Sequence, residues 1–183
     1  KYQEARNHFL QALSLTLQFF GPEHQDVAAL NRMIALSYSM DEACAREYSD
    51  NAFAALKYDP SNISTGFDGI ISHMELLKNL QTRGSLLLGF YNNLGDAIYL
   101  KEADQLYSTS FFLIEYIKNT FEEPGSRQAL LDNFFKVYEQ GILVKYLLNK
   151  ATGKRSYLSE AFQISEQSNA TLLLQAIRSV QAE

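Results

Sequence analysis

The sequence has no tryptophan, one cysteine and three prolines in 183 residues. A single cysteine excludes an intramolecular disulfide and fits a reducing compartment, so the expected location is cytoplasmic. So few prolines leave room for long uninterrupted helices, because proline breaks a helix interior. A long apolar run is also missing. The longest is Leu86-Leu87-Leu88-Gly89-Phe90-Tyr91, far short of the roughly 20 residues that a membrane-spanning helix needs. No block of like charges forms an acidic or basic tail. The formal net charge of −5 and a pI near 5.3 disfavour a sequence-independent nucleic-acid binder. Alternating apolar and polar runs bounded by turns are absent too, which removes the strand signal. What the sequence has in quantity is hydrophobic residues, 46% of the total and ample for a core.

One stretch occurs twice. Gly95-Asp96-Ala97-Ile98-Tyr99-Leu100-Lys101-Glu102-Ala103 returns 58 residues later as Gly153-Lys154-Arg155-Ser156-Tyr157-Leu158-Ser159-Glu160-Ala161, with the Gly, Tyr-Leu and Glu-Ala positions identical. A period of that size points to stacked helical hairpins. Glycine ends one helix in a left-handed turn, and Tyr, Leu and Ala open the next. The alanine marks a place where two helix axes come close.

Apolar steps of three and four predict seven helices in all. Residues 2–20 carry Tyr2, Phe9, Leu13 and Leu17 on one face, and Gly21-Pro22 ends that helix before Asp26 caps the next. Helices over 27–39 and 43–57 follow, separated by a tight turn at Met40-Asp41. The segment Asp59–Gly66 reads as a loop. A long helix over 68–93 and its partner over 97–121 come next. Gly84 and Gly89 lie inside the first of these and allow a neighbouring helix to approach. Glu122–Ser126 is another break, with Ser126 as the cap of a helix over 127–151, and the last helix runs over 156–180. The expectation is one all-α domain over 1–183: a half repeat (1–20) and hairpins over 26–57, 68–121 and 126–181. The start at Lys1 suggests a piece of a longer protein.

Chemistry-bearing residues are few. Cys44 sits near a helix start beside Asp41 and Glu42, and acids raise a thiol pKa rather than activate it. His8, His24 and His73 share no metal-ligand spacing. Glu122 and Glu123 suit the positive end of a helix dipole better than an acid/base pair. Neither glycine at 84 or 89 belongs to a phosphate loop. No catalytic set, metal site or cofactor is expected.

The hairpins resemble tetratricopeptide repeats. Ala35 and Tyr38 fit the first-helix pattern of that family, a small residue three before an aromatic. Ala5, Phe9 and Ala12 fit its second-helix pattern, as do Ala103, Tyr107 and Ser110. Phe20-Gly21-Pro22-Glu23-His24-Gln25-Asp26-Val27-Ala28 resembles the junction of kinesin-light-chain-like repeats. Phe121–Leu131, Tyr157–Phe162 and Glu166–Ala176 are similar to the lengthened repeats that precede the caspase-like CHAT domain in bacterial proteins. Two positions depart from the pattern: on the 58-residue offset Asn149 replaces Tyr91, and Ser165 replaces Tyr107.

The resemblance implies a right-handed superhelix of stacked antiparallel hairpins, with a groove lined by the first helix of each pair. Carrying the repeat register over places Arg32, Ser85, Asn92 and Gln140 in that groove, where an extended peptide would lie; the bland alternative is an ordinary solvated face. It implies a non-enzymatic module for a protein or peptide partner, or for a flanking domain of the same protein. It further implies that the module positions or regulates a C-terminal CHAT peptidase absent from this chain. Self-association into a homo-oligomer and a groove for a small effector are the competing readings. Neither nucleic acid nor membrane is an expected partner.

Overall fold

Each helix begins and ends where its local residues provide a cap or a breaker. The computed structural model describes residues 2–61, 66–120 and 124–181, the side chains of Tyr2, 124–133 and 170–181 excepted. Among the described residues there are seven helices and no strand: α1 (Tyr2–Phe20), α2 (Gln25–Ser37), α3 (Glu42–Ala54), α4 (His73–Leu94), α5 (Ala97–Thr120), α6 (Pro124–Thr152) and α7 (Ser156–Gln181). The chain is all-α, and among the described residues no helix is long and apolar enough to cross a membrane. It divides into two compact units, Lys1–Thr120 and Phe121–Glu183.

In the first unit α1 packs on α2, α2 on α3 and α4 on α5, while α4 also lies against both helices of the preceding pair. The core is made where small and large residues alternate. Ala28, Ile34, Ala35, Phe53, Leu80, Leu100, Ala103 and Tyr107 are all essentially inaccessible. Gly84 explains the closest approach. A Cβ there would fall 2.7 Å from the Tyr107 ring, so only a bare backbone lets the ring lie against α4. Gly89 has no such role, since nothing lies within 4 Å of its Cβ position.

Several helix ends differ from expectation for local reasons. His24, not Asp26, caps α2: it is extended (φ −150°, ψ 144°) and its Nδ1 accepts the Asp26 N–H at 3.2 Å. Asp26 is already within the first turn. The α4 helix begins at His73 rather than 68, because Gly69 takes a left-handed conformation (φ 78°) and Ser72 caps by accepting the Glu75 N–H at 3.3 Å. Phe67 and Asp68 then fold onto α5, where the Tyr116 hydroxyl donates to Asp68 at 3.0 Å. Proline occupies the first position of α6, where its missing N–H costs nothing. Ser126 is therefore inside that turn and not its cap. Glu122, Glu123 and positions 62–65 of the expected loop lie outside the described residues.

The second unit is the α6–α7 hairpin, closed by Phe134, Val137, Tyr138, Val144, Leu148 and Ile164. Its turn repeats that of α4–α5. Gly95 (φ 74°) and Gly153 (φ 71°) each donate their N–H at 2.8 Å, to the Tyr91 and Asn149 carbonyls. The Asn149 departure has a use: its side-chain amide donates to the Lys154 carbonyl at 3.0 Å and closes the turn.

Candidate functional site

Of the four residues expected in a groove, Arg32, Ser85 and Asn92 belong to the first unit and Gln140 to the second. Arg32 on α2 donates through Nε to Glu75 on α4 at 2.8 Å, and Lys78 reaches the other oxygen of the same carboxylate at 3.2 Å. Glu75 is buried, so this pair belongs to the α2–α4 contact. Ser85 is half-buried and its hydroxyl is 3.5 Å from that of Tyr107. It lies ten residues beyond Glu75, roughly 15 Å along α4. Asn92 is two turns further on and exposed. Gln140 is half-buried in the other unit.

A different set of side chains does come together. Glu42, Arg46 and Asp50 stand four apart on one face of α3. Glu42 accepts from Arg46 Nε at 2.7 Å and from the Tyr99 hydroxyl at 2.6 Å. The Tyr99 hydrogen bond and then Arg46 hold its carboxyl below the ordinary glutamate range. Arg46 Nη1 continues to Glu102 on α5 at 2.8 Å, and Asp50 pairs with Arg83 on α4. The second copy of the repeated stretch does related work with other partners: Glu160 pairs with Lys145 of its own hairpin, whose ammonium lies 5.5 Å from the Tyr157 ring.

Beside this ladder is a half-open cleft of about 220 Å³, lined by Tyr58, Pro60, Ser61, Arg83, Glu102, Gln105, Leu106 and Thr109. Its first wall is shaped by the end of α3. The Tyr58 N–H reaches back to the Phe53 carbonyl at 3.1 Å and the Lys57 N–H to Ala54 at 3.0 Å. Lys57 thus takes the left-handed position (φ 62°) that usually falls to glycine. The Phe53 and Tyr58 rings meet edge-on at 5.7 Å, the apolar contact that accompanies such a turn. Asp59 Oδ1 then accepts both the N–H and the hydroxyl of Ser61, at 2.9 and 2.7 Å. The opposite wall is one face of α5.

Cys44, His24 and His73 have structural surroundings. Cys44 shares a hydrogen bond with Asp41, which pushes its thiol up from the ordinary range. His24 stacks on Phe20 with centroids 4.4 Å apart, and His73 Nε2 lies 2.9 Å from the Phe67 carbonyl. Among the described residues no three His, Cys, Asp or Glu side chains are grouped to hold a metal ion. Comparison with protein families, with curated proteins and with solved structures finds no match. The tetratricopeptide likeness therefore stands on the residues that carry it. No pair of the ladder follows from the sequence reading above, although Glu42–Arg46, an acid four residues before a base, carries a local signal that could have found it. Glu102 was visible only as a repeated residue, and Arg83 carried no signal.

Proposed function

We propose that the chain is a non-enzymatic protein–protein interaction and scaffold module, a tetratricopeptide-like solenoid that positions or regulates a CHAT peptidase-like domain C-terminal to it. The observation that carries this reading is the packing of α4 on both helices of the preceding hairpin, while Gly84 lets α5 close on α4 in turn. Regular stacks of helical hairpins present surfaces for holding other chains. The CHAT context rests on the sequence likeness of the later helices. Chemical crosslinking followed by mass spectrometry, on the chain and on the full gene product, tests the proposal. Reproducible crosslinks to one protein or to one flanking domain are expected; crosslinks to neither would sink it.

One observation favours self-association instead. α1 packs mainly on α2 and leaves Leu15, Phe19 and Phe20 exposed, Phe19 by 79%. Exposed apolar groups of this size drive pairing. Light scattering that shows a strict monomer at high concentration removes this reading.

A further inference from the structure

We infer that the cleft between the Tyr58–Ser61 loop and α5 grips the main chain of an extended, uncharged peptide segment. The inference rests on the interaction-module reading and names what the module would hold. None of Arg32, Ser85, Asn92 and Gln140 lines the cleft, so this is a second surface and not the groove that the repeat register implies.

Length comes first. Glu102, Gln105 and Thr109 follow one another at steps of three and four along α5, and the seven steps from first to last span roughly 10 Å. An extended chain covers that distance in about three residues. The cleft is half-open, so a ligand can run through it rather than being enclosed.

Polarity comes second. A peptide main chain offers alternating N–H donors and C=O acceptors. The exposed Gln105 amide carries one of each in a fixed geometry and can answer both at once. Arg83, on α4, adds donors to the lining, since its pair with Asp50 engages Nη1 and leaves other N–H groups. The Ser61 hydroxyl donates to Asp59 and therefore faces a ligand as an acceptor. The loop wall is fixed beforehand by the Asp59 bonds.

Charge decides the class. The cleft has one cation and one anion, and each already has a counter-ion: Arg83 has Asp50, and Glu102 has Arg46. An acidic or basic side chain would have to displace one of these partners, whereas a neutral segment displaces neither. Leu106 and Pro60 give such a segment an apolar place to rest.

The test titrates the 15N-labelled chain by NMR with a capped alanyl-leucyl-alanine tripeptide. Amide shifts confined to Ser61, Gln105, Leu106 and their neighbours are expected, with Kd about millimolar. Methylating the central peptide nitrogen, or replacing the leucine by lysine or glutamate, should weaken binding about fivefold or more, and Gln105→Ala should do the same. Gln105 is exposed, so the variant keeps its fold, and an unchanged melting temperature verifies that. Equal binding of the N-methylated peptide overturns the inference, as do shifts that map elsewhere or no shifts at several times the expected Kd. If the tripeptide fails while a crosslinked protein partner persists in Gln105→Ala, only the cleft falls. A tripeptide that binds as expected with no protein partner found sinks the module reading and leaves the cleft.

Discussion

At the scale of the residue, the meeting of Gly84 and Tyr107 sets how closely α4 and α5 pack. Alanine at 84 would gain up to about 1 kcal/mol of helix propensity, but its methyl would sit inside the Tyr107 ring's contact distance. That ring is buried on all sides and has nowhere to turn. Overpacking of this kind costs about 1–3 kcal/mol, so Gly84→Ala is expected to lower stability in urea denaturation. Gly89→Ala meets open space and should raise it by up to about 1 kcal/mol. The pair separates a packing glycine from an incidental one, which the sequence showed only as two glycines in one helix. Tyr107 also ties stability to pH. Burial pushes its hydroxyl up to about 12 from 10. The folded state then holds the proton that the unfolded chain releases first, so the contribution is whole below pH 10 and is lost as pH rises toward 12. A shift of that size is worth about 2–3 kcal/mol. Stability measured across this window should fall more steeply in the natural protein than in Tyr107→Phe; parallel curves would refute the assignment.

At the scale of the element, the helices were legible because their signals are local. Three- and four-residue apolar steps, the Gly95 and Gly153 caps, and the breaks at Gly21-Pro22 and Met40-Asp41 are all written within one or two turns of chain. Where the reading missed, the deciding residue did its work through conformation. His24 displaced Asp26 as the cap of α2 by being extended, and Gly69 with Ser72 held off the start of α4 by five residues. The cleft was illegible for a different reason. Tyr58, Arg83 and Gln105 are brought together only by packing, and its loop wall depends on a lysine standing where the turn favours glycine. Lysine in the left-handed conformation costs about 1–2 kcal/mol relative to glycine. Lys57→Gly and Lys57→Ala both lose the exposed Glu23 ion pair, so the difference between them isolates the backbone. Thermal or urea melts should find the glycine variant more stable than the alanine variant by about 1 kcal/mol. Equal stability would mean that this turn is not held as described.

At the scale of the whole molecule, the two compact units differ in what they can bury by themselves. The first has five helices, and its α4 touches both helices of the hairpin before it. The buried residues Ile34, Phe53, Leu80, Leu87, Tyr107 and Leu113 all come from within residues 1–120. Cross-helix pairs such as Arg32–Glu75 and Arg46–Glu102 also begin and end there. The second unit is a single hairpin, whose two helices pack on each other and by themselves can bury one stripe apiece. A piece of that size is marginal on surface-to-volume grounds. In a chain of stacked hairpins, stability is close to a sum of repeat terms and nearest-neighbour terms, and an isolated hairpin has none of the latter. Cutting the chain after Thr120 should therefore give unequal halves. The fragment 1–120 is expected to keep a helical circular-dichroism spectrum and a cooperative melt. The fragment 121–183 should show weaker helicity that declines gradually with temperature. Two fragments that both melt cooperatively would make the α6–α7 hairpin a domain in its own right and overturn the expectation that a lone hairpin of this size is marginal.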